Sequence, residues 1–151
     1  MKFIVSRELG RLAKWLRILG YDTSYFESDR ISSLIIAGLR EGRIILTKNS
    51  RLSRHMGVRT VYIEDDFVKG QLRQVINELN LKPDEEDMFT RCVICNILLE
   101  GAKKQTVRGK VPTYVFQTQQ EFVRCPICGR IYWQGTHWGN VQKYLSQITH
   151  E

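Results

Sequence analysis

"KFIVSRELGRLAKWLRILGYD", residues 2–22, decides how the chain is read. Lys2 to Val5 has the make-up of a short buried strand, and the chain then turns at once into an amphipathic helix. At about 100° per residue, Leu9, Leu12, Ala13, Leu16 and Leu19 gather on one face, while Arg7, Arg11, Lys14 and Arg17 fall on the other. Gly20 ends the helix. Two features ask for a chemical reason: the basic side of the helix, and Ser6 at the end of the strand.

The alternation continues outward. Thr23 to Phe26 reads as a second strand, and "SDR" (28–30) offers N-cap candidates for a helix built on Ile31, Leu34, Ile35 and Leu39 that stops near Gly42. "RIILT" (43–47) is almost wholly apolar, as a central parallel strand covered on both faces requires. A short basic helix (about 49–55), a strand "TVYIE" (60–64) and a helix on Val68, Leu72, Val75, Ile76 and Leu79 follow. Strands alternating with helices over short connections imply an α/β fold with a parallel sheet. "LKPDEEDMFT" (81–90) breaks the pattern with a proline and a run of acids. The expected organisation is an α/β domain over 1–81, an acidic linker over 82–90 and a second module over 91–151. That module carries short strands "TYVFQT" (113–118) and "RIYW" (130–133) and a final helix from about Trp138 to Ile148.

With 151 residues and a formal net charge of +7, the chain has room for one domain plus a small module and attracts polyanions. Basic residues outnumber acidic ones fourteen to nine in 1–81 and eight to three in 91–151, while 82–90 holds one basic and four acidic residues. No apolar run approaches the roughly 18 residues of a membrane span, and the N-terminus lacks the order of a signal peptide, so a cytoplasmic location is expected.

The cysteines fall as Cys92-Val-Ile-Cys95 and Cys125-Pro-Ile-Cys128-Gly129, with 29 residues between the pairs. Two such knuckles bring four thiolates to the tetrahedral geometry of Zn²⁺, and a segment with little core gains its folding energy from that metal. Disulfides are the competing reading, disfavoured in a reducing compartment. Four thiolates close the ion to substrate, so the expected zinc is structural. His55, His137 and His150 have no ligand spacing and read as packed or surface histidines. Tyr114, Tyr132, Trp133 and Trp138 could stack on bases, but in so small a module they are expected to form the core itself.

The order of strand, "RELGRLAKWLRILGYDT", "AGLREGRIILT", acidic joint, CxxC, "VRGKVPTYV" and "EFVRCPICGRIYWQGTHW" resembles the Mut-seven carboxy-terminal RNase family over almost the whole chain. The resemblance implies a PIN-like parallel sheet domain followed by a small zinc ribbon. It also implies carboxylates at the carboxyl ends of the strands that hold Mg²⁺ or Mn²⁺ for RNA cleavage. Where the family's first strand ends in Asp, and where another Asp follows its "LT" strand, this chain has Ser6 and Asn49. The resemblance carries Asp22 and, more loosely, Asp29 over as site residues.

Hydrolysing a phosphodiester through a dication requires anionic ligands to fix it, so losing two charges implies weak metal binding and slow or absent cleavage. A degenerate RNA binder, an inactivated variant and a shifted site using Asp22, Asp29, Asp65 and Asp66 all fit. Arg7, Arg11, Lys14 and Arg17, joined by Lys48, Arg51 and Arg54, would form a band that neutralises RNA phosphates. The leading expectation is an RNase-type protein acting on or binding RNA. The alternative is a non-catalytic RNA-binding or ribosome-associated zinc-ribbon protein.

Overall fold

In the computed structural model, which describes residues 1–54 and 57–149, the first half follows the expected alternation. The order is β1 (Lys2–Val5), α1 (Gly10–Ile18), β2 (Asp22–Tyr25), α2 (Ile31–Glu41), β3 (Ile44–Thr47), β4 (Thr60–Tyr62) and α3 (Val68–Glu78). A 3-10 turn over Ser50–Arg54 stands where the short basic helix was expected. His55 and His150 lie outside the described residues, as do the side chains of Arg54, His137 and Trp138.

The four strands form one parallel sheet in the order β2-β1-β3-β4. The chain steps from β1 to β2 in one direction and then crosses back over β1 to β3. Right-handed crossovers therefore lay α1 and α2 on opposite faces. Phe3, Val5 and Leu46 pack with Leu12 and Leu16 of α1 and Leu72 and Val75 of α3. On the other face Ile4 and Ile45 pack with Leu34 of α2 and with Leu52. A Cβ at Gly38 would sit 2.9 Å from Ile45 Cγ1, so the small residue lets α2 seat on β3.

Beyond the joint, β5 (Glu100–Ala102), β6 (Phe122–Arg124) and β7 (Ile131–Tyr132) form an antiparallel sheet in that order. "TYVFQT", expected as a strand, is instead a helix, α4 (Thr113–Thr118), that starts directly after Pro112. A strand would turn Val115 and Phe116 to opposite faces. The chain packs both into one cluster with Val107 and Phe122, which a helix allows.

The last helix, α5 (Gly135–Thr149), places Val141, Leu145 and Ile148 in the same cluster as α1 and α3. The expected 91–151 module thus shares its core with residues 1–81. Nor does 82–90 hang free: Leu81 and Met88 are buried, and the Phe89 N–H donates to the Ile18 carbonyl at 2.9 Å. Gly20, with φ of +97°, admits this joint, because a Cβ there would collide with the Asp87 carbonyl. Among the described residues, no helix is long and apolar enough to cross a membrane.

Candidate functional site

β1 and β3 are neighbours whose outgoing connections run to opposite sides, and an open parallel sheet offers its ligand crevice at such a point, beyond the carboxyl ends of the strands. A hollow of about 530 Å³ lies there. Its walls include Ser6, just past β1, Thr47 and Asn49 at the end of β3, and Asp29 and Arg30 ahead of α2. Arg7 and Glu8 complete the near side.

Ser6 is 8% exposed, and its N–H pairs with the Leu46 carbonyl at 3.0 Å. It precedes the 3-10 turn Arg7–Leu9, where a serine hydroxyl ordinarily caps the turn. Here the hydroxyl makes no cap bond, and Oγ is buried without a hydrogen-bond partner. Asn49 is fixed at both ends of its loop: its N–H donates to Thr47 Oγ1 at 3.0 Å, and its Oδ1 accepts the Arg51 N–H at 3.0 Å. Asp29 pairs with Arg7 at 2.8 Å, both side chains largely exposed.

Asp22 is not in this hollow. It opens β2 opposite Lys2, at the amino end of the sheet, whereas Ser6 lies past the other end of β1. Asp22 Oδ1 accepts from Arg43 at 2.8 Å and from Asn96 Nδ2 at 2.7 Å. Burial opposes its ionisation, but the bonds from Arg43 and Asn96 together outweigh it and hold the carboxyl below the usual range. The structure therefore does not bring Asp22 together with Ser6 and Asn49; its carboxylate is engaged by Arg43 and Asn96. Asp65 and Asp66 do not line the hollow either; Asp66 pairs with Lys48 at 2.8 Å.

The expected basic band divides. Arg11, Lys14 and Arg51 are exposed, and Arg7 stands at the hollow. The Lys48 ammonium is tied down by Asp66 and by the Glu64 and Asp65 carbonyls. Arg17 departs from expectation: it is buried, and its guanidinium donates to the carbonyls of Thr23 (2.9 Å), Val93 (2.8 Å) and Ile94 (3.1 Å). It clamps the first cysteine knuckle onto β2. Asn96 reinforces the clamp, its Oδ1 accepting the Thr23 N–H at 2.9 Å.

Cys92, Cys95, Cys125 and Cys128 are free thiols whose sulfurs all lie within 4.8 Å of one another. Zn–S bonds of about 2.3 Å at tetrahedral angles put sulfurs roughly 3.8 Å apart, and Cys92 and Cys128 stand at 3.7 Å. In each knuckle a backbone N–H points at sulfur, from Cys95 to Cys92 (3.4 Å) and from Cys128 to Cys125 (3.5 Å). The Arg130 backbone N–H draws the Cys128 thiol down to about 6. Lost hydration and then the neighbouring sulfurs push the Cys95 thiol up to about 12. Tyr132 bonds Cys92 Sγ at 3.2 Å and Trp133 meets Phe122 edge-on, so both aromatics are engaged in the protein's own packing. The donor set fits a structural Zn²⁺, and among the described residues it is the group of this kind that converges on a metal-sized space.

Three residues escaped the sequence reading. Glu8 and Arg30 line the hollow, and both lie within two residues of a residue singled out there, which was a usable signal. Asn96 follows the first knuckle and joins it to β2, which spacing could not reveal. No curated protein and no solved structure matches the chain. The family model for the Mut7-C RNAse domain, however, matches residues 1–145, nearly the full length and across both sheets. The chain therefore belongs to the Mut7-C RNAse domain family.

Proposed function

We propose that the chain is a PIN-like RNase-type protein with a zinc ribbon over 91–151, that it binds RNA at the hollow beyond β1 and β3, and that its metal-dependent hydrolysis is impaired. Family membership supports the nuclease-like, RNA-related part. The observation that carries the rest is that Ser6 and Asn49 meet in one hollow whose carboxylates are Glu8 and Asp29, the latter engaged by Arg7. A hard dication needs several oxygen ligands with net negative charge. A hydroxyl, an amide already used at its oxygen and a carboxylate paired to a guanidinium leave Glu8 as the one carboxylate of this set without such a partner, too few anionic ligands for Mg²⁺ or Mn²⁺.

What the residues do supply is phosphate binding. Arg7, Arg11, Lys14 and Arg51 are exposed cations on elements that flank the hollow or begin there. Each phosphate they neutralise releases a counterion, so affinity falls steeply with salt. Cys92, Cys95, Cys125 and Cys128 would hold Zn²⁺, which fastens the ribbon and takes no part in chemistry.

The test compares RNA cleavage and binding, with Mn²⁺ present, for this chain and for the double change Ser6→Asp, Asn49→Asp. The expected result is binding by both and cutting by the acidic double variant alone. Cleavage by the unmodified chain overturns the impaired-site reading; binding by neither overturns the RNA reading.

A further inference from the structure

The hollow is lined by side chains able to donate hydrogen bonds, Ser6 and Asn49, at positions where a cation site would carry carboxylates. Two atoms decide this. Ser6 lines the crevice, its Oγ is buried and unpartnered, and a native fold seldom leaves such a group idle without a ligand to meet it. At Asn49 the Arg51 N–H needs an acceptor, which fixes Oδ1 as the inner end of the amide. The other end is Nδ2, which carries two N–H donors. An aspartate would make the same turn with one oxygen and keep the second, negatively charged, for a cation. The exchange replaces an acceptor by a donor at a single atom. Arg7 and Arg30 line the same space, against Asp29, already paired with Arg7, and the exposed Glu8.

We infer that this hollow is an oxyanion pocket that takes a phosphate group without any divalent cation. Ser6 Oγ and the Asn49 amide are the donors, and Arg30 supplies the countercharge. The inference rests on the RNA reading above for the source of the phosphate. Both a terminal phosphomonoester and an internal phosphodiester present the required oxygens. The monoester brings the extra charge, so a 5′-phosphorylated strand is expected to bind more tightly than its 5′-hydroxyl counterpart.

The experiment uses the full zinc-loaded chain in buffer stripped of free divalent cations by a chelating resin, with fluorescence anisotropy of short 5′-phosphorylated and 5′-hydroxyl RNAs. Binding persists without Mg²⁺, and added Mg²⁺ leaves it unchanged or weakens it by competing for phosphate. Ser6→Ala weakens binding about tenfold, the scale of one hydrogen bond to a charged group. Ser6→Asp removes binding in metal-free buffer. A melting temperature for Ser6→Ala no lower than the parent's establishes that the variant is folded. In a second arm, inorganic phosphate raises the melting temperature of the parent and not that of Ser6→Ala. Binding that appears only with Mg²⁺ overturns the inference. RNA binding untouched by Ser6→Ala, with no phosphate shift, overturns the pocket and leaves the RNA reading standing. A Ser6-dependent phosphate shift without RNA binding sustains the pocket and overturns the RNA reading.

Discussion

The two ends of the parallel sheet each carry an aspartate, and the two aspartates live differently. At the amino end, Asp22 is met by Arg43 and Asn96, while Arg17 beside it satisfies three carbonyls. At the carboxyl end, Asp29 is 81% exposed with Arg7 for a partner, and the Ser6 hydroxyl has none. One end is closed by the protein's own groups; the other, on the reading proposed above, holds binding capacity in reserve.

The largest test of this contrast is metal removal. Structural zinc contributes free energy on the scale of a domain's whole stability, roughly 5–15 kcal/mol. The first knuckle is also what holds Asn96 and the Arg17 acceptors against β2. The protein should contain one zinc per chain, and its chelation should unfold the cysteine-bearing half and loosen the amino end of the parallel sheet. Amide exchange reads this by position: the Thr23 N–H, bonded to Asn96, loses protection, while the Ser6 N–H, bonded to Leu46, keeps more of it. Equal loss at both amides would mean that the two ends are not separately fastened.

Next in size is Arg17→Ala. Removing a buried guanidinium strands three carbonyls at the junction, for an expected loss of about 3 kcal/mol, measured by urea denaturation. Arg11→Ala, on the exposed side of the same helix, should cost almost nothing in stability and should weaken RNA binding with a shallower salt dependence. If Arg17→Ala instead left stability unchanged and lowered RNA affinity, the assignment of the two arginines would be reversed.

That pair also shows where the sequence was legible. The four strands and three helices of the first half could be read because apolar residues recur with the period of each element, and the cysteine cluster because its spacing is nearly self-sufficient. Ser6 and Asn49 meet because both follow strands that the topology makes neighbours. Arg17 could not be read: on a helical wheel it belongs with Arg7, Arg11 and Lys14, and it is buried by a loop some seventy-five residues away. The place of Asp22 at the other end of the sheet was hidden for a related reason, since resemblance transfers a residue type without the partners that meet it. The helix α4 was hidden because Tyr114, Val115 and Phe116 form a contiguous run too short to show either period. By contrast, Val141, Leu145 and Ile148 form an apolar stripe that asked for a core to join, and the core of the α/β layer was the one available.

The smallest effect is the charge on Asp22. Asn at this position keeps an oxygen that accepts from Arg43 and Asn96, so Asp22→Asn removes charge and little else, at an expected cost of about 1 kcal/mol near neutral pH. The folded carboxyl titrates below its ordinary range because the bonds from Arg43 and Asn96 outweigh the effect of burial. Its stabilisation is therefore fully present above the unfolded value, near 3.9, and is lost as pH falls through the lower, folded one. Urea midpoints of parent and variant should differ near neutrality and converge under acid, and their difference cancels the carboxylates common to both. RNA affinity should not change, because a four-residue strand, roughly 13 Å at 3.3 Å per residue, separates Asp22 from the hollow. Should Asp22→Asn weaken RNA binding as much as Ser6→Ala, the two ends of the sheet would be one site, and the reserve attributed to the carboxyl end would belong to both.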